Sequence, residues 1–431
     1  MRDGEPVRSD EGVSLENQLF TVALGLHPPW EVVEIHFDPK AGRIDFQVGF
    51  AKGARFACPA CQAADQPVHD TRERTWRHLS FFQFAAYIHA KVPRVECGGC
   101  GKTSQVAVPW ARPESGFTVL MEAFVVTLCR EMPVRKVAQL FGVSEGAIWR
   151  VLDHHVEAAR AKEDFSGVVR VGMDETACRR GHHYVSLFHD LDERRLLYGC
   201  EGRDKETVGA FAEDLKAHGG DPEAVVEACM DMSAAYIAGT QKYLPNADIT
   251  FDPFHVIQLI NGAVDEVRRA EVKDQPCLKG TRYLWLKDRG KWTRSQHNLH
   301  ETLPQRGLKT ARAWRIKESL REIYAARVTL PDATKLLEKW YGWSIRSRLE
   351  PVKRVARTIK VHWDGVLRVF ETGATTALLE GVNSLIQAAK ARARGYGTVR
   401  HLIAIAYLIA GKLRHLPKSP YATRCCGARA Q

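Results

Sequence analysis

The 431-residue sequence predicts a multidomain α/β protein, on three observations. Two cysteine pairs, CPAC and CGGC, bracket strand-like sequence near the N-terminus. Between Val168 and Asp252 the pattern runs β-β-β-α-β-α-β, three meander strands followed by alternating helices and strands, which describes a mixed sheet of RNase H-like type. Beyond it lies a charged helical stretch holding six tryptophans, too long to be structureless in a compact domain and therefore read as a helical insertion.

Taken in order, EVVEIHFDPKAGRIDFQVGF (residues 31–50) alternates apolar and polar side chains about the turn-forming DPKAG, the pattern of a β-hairpin. Each CxxC then makes a tight turn presenting two thiolates, and Cys58, Cys61, Cys97 and Cys100 supply the four sulfurs of one structural, tetrahedral Zn²⁺ site. A reducing cytosol disfavours the alternative of disulfides. His69, His78 and His89 fall inside the interval, but four cysteines already complete a ligand set. Cys129, Cys178, Cys200, Cys229 and Cys277 read as small core residues. Cys425 and Cys426 are adjacent, which suits neither a zinc turn nor an ordinary disulfide.

Val134 to Val156 has the form of a helix-turn-helix. Val137, Ala138 and Leu140 are expected to pack the first helix, Gly142 to permit the turn and Ser144 to cap the second helix, with Ile148, Val151 and Leu152 facing inward. Glu145, Ala147, Trp149 and Arg150 would then face a DNA groove.

In the core, VVRVGMD reads as a strand ending in Asp174. HHYVSLFHD and RRLLYGCEG are two strands joined at DLDER, and Asp204 caps a helix stopped by Gly219 and Gly220. AVVEACMD ends in Asp231, and ADITFD ends in Asp252 before another helix. Residues 256–370 follow, with Trp285, Trp292, Trp314, Trp340, Trp343 and Trp363 as the core of the insertion. The segment TTALLEGVNSLIQAAKARARGYG then reads as a helix. Leu378, Val382, Leu385 and Ala389 would form its buried stripe, and Glu380, Asn383, Ser384, Gln387, Lys390 and Arg394 its polar face.

The composition points to a partner. The chain carries a net charge of +11, and no apolar run approaches bilayer-spanning length, so nucleic acid is expected and a membrane is not. The opening MRDGEPVRSDEG lacks the apolar stretch of a secretory signal, giving a bacterial cytoplasmic, nucleoid-associated expectation. Phosphoryl transfer on DNA uses two hard cations about 3.5–4 Å apart, and Mg²⁺ or Mn²⁺ can be held by few carboxylates. Asp174, Asp231 and Glu380 are the candidate set. Glu175 should face away from a site built on Asp174, because neighbours along a strand point to opposite faces. Asp190 lies in the DLDER turn, where aspartate serves the backbone.

GMDETA around Asp174, CMDMSAAY around Asp231, FDPFHV, and LLEGVNSLIQAAKARARGYG around Glu380, together with the two CxxC pairs and the helix-turn-helix, resemble the ISL3 group of bacterial insertion-sequence transposases of the DDE class. The likeness spans most of the chain. It implies an RNase H-like catalytic core interrupted by a helical insertion, with Asp174, Asp231 and Glu380 as metal-binding triad. Asp252 and His255 match a family motif as auxiliary residues: Asp252 as rival or assistant to the triad, His255 as a contact to the scissile phosphate or a histidine bonded within its own turn.

The expected organisation is a β/zinc-ribbon-like DNA-binding domain at 1–112, a helix-turn-helix domain at 113–165, the catalytic core at 166–255 and 371–416 around the insertion at 256–370, and a flexible tail at 417–431. The expected activity is binding of terminal inverted repeats followed by metal-dependent strand cleavage and strand transfer. Arg150, Lys390, Arg392, Arg394 and Arg400 would contact double-stranded DNA, and a homodimer or larger assembly would hold two element ends. Two other readings stay open: a transposase-derived transcriptional regulator with a silent core, and an RNase H-like nuclease that cleaves without joining.

Overall fold

A computed structural model describes residues 14–178, 184–303, 307–326, 328–374 and 377–421, with backbone alone at 377–380. Cys425 and Cys426 lie outside the described residues. The chain divides into two compact units, residues 1–157 with 416–431, and residues 158–415.

The first unit opens with helix α1 (Leu15–Ala23), followed by strands β1 (Trp30–Asp38), β2 (Arg43–Phe50), β3 (Val68–Arg77), β4 (Ala85–Glu96) and β5 (Thr103–Gln105). The expected hairpin forms: β1 and β2 pair antiparallel from Trp30↔Phe50 to Asp38↔Arg43, and Asp38 accepts from the Ala41 N–H in the turn. The sheet order is β1-β2-β4-β3, with β5 on β4. β2 and β4 run parallel, and β3 and β5 pair antiparallel with β4. One face buries Trp30, Phe46, Trp76, Ile88 and Trp110.

Helices α2 (Val119–Glu131), α3 (Val134–Phe141) and α4 (Glu145–Arg160) follow. α3 and α4 are the expected helix-turn-helix: Gly142 takes φ of 64° at the turn, Ser144 Oγ accepts from the Ala147 N–H, and Ile148, Val151 and Leu152 are buried. Leu140 departs from expectation. It is 61% exposed, because the helical period puts Val134, Val137 and Ala138 on the inner face and rotates Leu140 off it. Tyr421 packs its ring against Phe124, with centroids 4.9 Å apart.

The second unit holds β6 (Arg170–Ala177), β7 (Tyr184–Asp190), β8 (Arg195–Glu201), α5 (Lys205–Ala217), β9 (Glu227–Met230), α6 (Ala234–Tyr243) and β10 (Asp248–Phe251). Its sheet has the order β10-β9-β6-β7-β8. β6, β7 and β8 form the antiparallel meander, and β9 and β10 add parallel. This is the RNase H-like arrangement that the element order predicts. Asp204 caps α5 through the N–H groups of Glu206 and Thr207. Asp190 behaves as a turn residue, accepting from the N–H groups of Asp192 and Glu193.

The helical stretch comprises α7 (Pro253–Glu271), α8 (Arg282–Leu286), α9 (Arg294–Thr302), α10 (Lys309–Ala325), α11 (Leu330–Ile345), α12 (Glu350–Val361) and α13 (Trp363–Thr372). Trp285, Trp292, Trp314 and Trp340 are buried in one core with Phe188 and Phe251 of the sheet and Phe211 of α5, whereas Trp343 is 39% exposed. The carboxylate of Glu271, ending α7, accepts from the backbone N–H groups of Lys309 and Thr310 and from the Thr310 hydroxyl, each at 2.7 Å. It thereby caps α10. The chain returns through α14 (Ala377–Ala393) and α15 (Val399–Ala410). Tyr407 of α15 accepts from the Gly199 N–H of β8. Among the single cysteines, Cys129, Cys178 and Cys229 are buried as expected, but Cys277 is exposed.

In the first unit Glu122 of α2 is fully buried and accepts from Arg112 Nε, Ser115 Oγ and His155 Nε2. Burial alone would raise its carboxyl, and the bonds from His155, Ser115 and Arg112 more than offset this, leaving it below the ordinary 4.5. Glu122→Leu leaves Arg112, Ser115 and His155 without their shared acceptor and is expected to cost this unit about 3 kcal/mol in denaturant unfolding. A lowered folded value stabilises above the ordinary carboxyl range and is lost as pH falls through it. The gap between wild type and variant should therefore narrow on acidification below 4.5.

Candidate functional site

The cysteine cluster is built by two matching turns. After each CxxC the next residue takes positive φ, Gln62 at 61° and Gly101 at 67°. Its N–H closes onto the carbonyl of the first cysteine, Gln62 to Cys58 and Gly101 to Cys97. The sulfurs of Cys58 and Cys100 lie 3.8 Å apart, those of Cys61 and Cys97 3.5 Å, and all four fall within 4.8 Å of one another. A zinc–sulfur distance of about 2.3 Å gives a tetrahedron with edges of about 3.8 Å, so the set fits one zinc ion. The N–H groups of Cys100 and Gly99 draw the Cys97 thiol down to about 7. Facing it, Cys61 accepts from the Ala63 N–H yet is pushed up to about 12 by the neighbouring sulfurs. A divalent cation relieves such crowding by displacing thiol protons. The three histidines are engaged elsewhere: His78 with Thr118, His89 with Asp45 and Thr75, His69 beside Asp70.

The acids gather at one end of the second unit's sheet. Asp174 does not end its strand, because β6 continues to Ala177 through pairing with β7. Its other neighbour, β9, stops earlier: the last parallel pair is Gly172↔Cys229. Asp174 therefore stands beyond the end of β9 on an unpaired edge, and Asp231 follows β9 directly. Asp231 Oδ1 accepts from the Ser233 N–H at 2.9 Å. A cavity of about 220 Å³ beside it is lined by Asp231, Met232, Ser233, His255, Gln258 and Leu259. Burial pushes the Asp174 carboxyl up to about 6, opposed by the Glu175 N–H and by His255 and reinforced by the like charges of Asp231 and Glu175. A carboxyl whose ionisation is disfavoured by burial and by neighbouring acids is a natural seat for a cation.

Glu175 is closer to this site than strand alternation suggests. Burial and Asp231 raise its carboxyl while Arg203, 3.6 Å away, opposes them, so it lies within Coulombic range of Asp231. Asp252 is 2% exposed, and its Oδ1 caps α7 by accepting from the Phe254 N–H. His255 shares the Asp231 cavity.

Glu380 belongs to α14, and its side chain lies outside the described residues. The helix itself is well tied. Asn383 Nδ2 donates to Asp174 Oδ2, Gln387 Nε2 to Thr176 Oγ1 at 2.5 Å and the Ala177 carbonyl at 3.2 Å, and Lys390 Nζ to the Ala177 carbonyl at 2.6 Å. The face expected to meet solvent or DNA is thus laid against β6. Correspondingly, Leu385 is 56% exposed while Ile386 and Ala389 are buried. Asn383 and Gln387, expected on the polar face with Glu380, meet β6 at the candidate site; their spacing with Lys390 is the signal in the sequence. Arg150, Arg392, Arg394 and Arg400 are exposed.

A four-sulfur cluster that fits zinc, a helix-turn-helix, and a mixed five-stranded sheet with two carboxylates at adjacent strand positions describe a DNA-binding protein with an acidic site. Residues 171–406 match the family model described as a transposase of ISL3 type. Residues 106–156 match the helix-turn-helix domain of transposase family ISL3, and residues 54–100 the zinc-finger of transposases IS204/IS1001/IS1096/IS1165. The chain belongs to the ISL3 family of transposases. It is 27% identical over 377 residues to the transposase for insertion sequence element IS1557 of Mycobacterium tuberculosis, covering 80% of this chain and 83% of that one. It is 26% identical over 347 residues to the transposase for insertion sequence element IS1001 of Bordetella parapertussis, covering 79% and 85%. Among the described residues no helix is long and apolar enough to cross a membrane.

The zinc assignment predicts one metal ion per chain by atomic emission. Cys97→Ser is expected to lose that ion and the cooperative melting of the ribbon, and retention of stoichiometric zinc by this variant would refute the four-sulfur site.

Proposed function

We propose that the protein mobilises its own insertion sequence in the bacterial cytoplasm, on the nucleoid. Residues 1–112 and 113–165 bind the terminal inverted repeats, with the exposed Arg150 of α4 at the groove. Asp174, Asp231 and Glu380 would hold two Mg²⁺ or Mn²⁺ ions, which would supply Lewis-acid activation of the attacking oxygen and stabilisation of the leaving one. The core then hydrolyses one strand at each element end and directs the freed 3′-hydroxyl to a phosphate of target DNA.

What supports this reading most is the hydrogen bond from Asn383 to Asp174. Glu380 precedes Asn383 by three residues in the same helix, and residues three apart share a helical face. The acid of α14 is therefore one turn from a direct contact to the acid of β6, although the two are separated by more than two hundred residues of sequence. His255, in the Asp231 cavity, is available to a scissile phosphate oxygen. Arg392, Arg394 and Arg400 offset phosphate charge next to the carboxylates, an attraction that falls steeply with salt. Lys390 contributes its charge from its hydrogen bond to Ala177. Holding two ends at once calls for a dimer or larger assembly.

Glu380→Gln is expected to cut end cleavage by at least about 100-fold, since even outer-shell changes at metal sites cost 10–100-fold. Binding of an end fragment in a gel-shift assay should stay unchanged. Full cleavage by this variant would sink the assignment, and cleavage by the wild type without Mg²⁺-dependent joining of a labelled end to plasmid would indicate a nuclease.

A further inference from the structure

Asn383 is better placed than a helix-packing residue needs to be. Both oxygens of Asp174 are already engaged by protein donors: Oδ1 accepts from the Glu175 N–H at 2.7 Å, and Oδ2 from Asn383 Nδ2. An ionised carboxylate has about four acceptor positions, so two remain, in a rotamer pinned from both sides. The amide orientation follows from chemistry, because only the NH₂ end of a carboxamide can donate to a carboxylate. That leaves Asn383 Oδ1, which is buried and has no partner among the described residues. Buried acceptors without partners are costly, and such an atom beside a candidate cation site marks a missing donor. A hydrated divalent cation brings donors of this kind, as Mg²⁺ keeps several of its waters when bound.

We propose that Asn383 is a positioning residue of the cation site: its NH₂ fixes the Asp174 carboxylate, and its Oδ1 accepts a hydrogen bond from a water of the bound divalent cation. This rests on the triad reading above. The residue type suits the task. A lysine or arginine at this position would neutralise Asp174 and compete with the cation, and a leucine would leave the carboxylate free to rotate. The carboxamide orients it while leaving its charge for the metal. Through the same side chain, occupancy at Asp174 and docking of α14 become one event.

The test uses the zinc-loaded full chain without DNA and Mn²⁺ as probe, read by the free-ion signal in electron paramagnetic resonance, with thermal melting alongside. Asn383→Leu keeps the side-chain volume and removes both polar ends. It is expected to weaken Mn²⁺ binding 10–100-fold, the usual cost at outer-shell positions, in a chain that still melts cooperatively at a somewhat lower temperature. If that variant does not melt cooperatively, Asn383→Ala decides, at a residue that is only half-buried. Wild-type Mn²⁺ affinity in the folded variant, with or without a lowered melting point, overturns the proposal and reduces Asn383 to packing. Asp174→Ala separates the two levels. If it abolishes Mn²⁺ binding while Asn383→Leu does not, the triad stands and this inference alone falls; if Asp174→Ala also binds like wild type, the triad falls and this inference with it.

Discussion

The second unit depends on how a helix from late in the chain is held against the first strand of its sheet. Three polar side chains at helical spacing, Asn383, Gln387 and Lys390, make that contact with Asp174, Thr176 and Ala177. The contact solves an electrostatic problem. A carboxylate at the unpaired edge of a buried strand must be satisfied, and the proposed site for divalent cations would need its charge intact; a neutral amide touches the acid, and the lysine stands two helical turns away. The hydrogen bonds also explain why α14 turns Leu385 to solvent: an apolar face could not satisfy the strand's groups.

Much of this was readable from residue order, for identifiable reasons. The cysteine pairs announce themselves because a four-residue turn is local, and the meander followed by βαβ alternation announces the sheet because strand and helix periods differ. Asp231 is visible as an acid directly after a short apolar strand. Other features were hidden because they are set by partners distant in sequence. β6 continues past Asp174 only because β7 pairs with it to Ala177, and Asp174 is exposed to the site only because β9 stops at Met230. Neither length can be read from β6 itself. The inward face of α14 was misassigned for a related reason: apolar periodicity finds the side that packs on hydrocarbon, and this helix packs its polar side on a strand edge. Glu175 shows the limit of strand alternation, since a long side chain at a sheet end remains within Coulombic range of Asp231 although its Cα faces away.

The helical stretch carries its own buried polar anchors. Lys317 is fully buried, donates to the Trp285 carbonyl at 2.8 Å and pairs with Glu318 at 2.8 Å, and burial lowers its pKa. Glu271 ties the end of α7 to the start of α10 across 38 residues. Such groups are costly unless fully bonded, and here each fastens one helix to another around the tryptophan core.

The two ends of that stretch meet at the same strand. α7 begins directly after β10, and α13 comes back over it so closely that a Cβ at Gly365 would fall 2.6 Å from the Phe251 ring and 2.9 Å from the Ile249 carbonyl oxygen. The whole subdomain is thus a cassette with a closed base. Since closing a longer loop adds little entropy cost for each doubling of length, the loops between the helices from α7 to α13 can lengthen while the base of the cassette stays closed. The glycine at the seam, Gly365, is a position that such remodelling cannot touch.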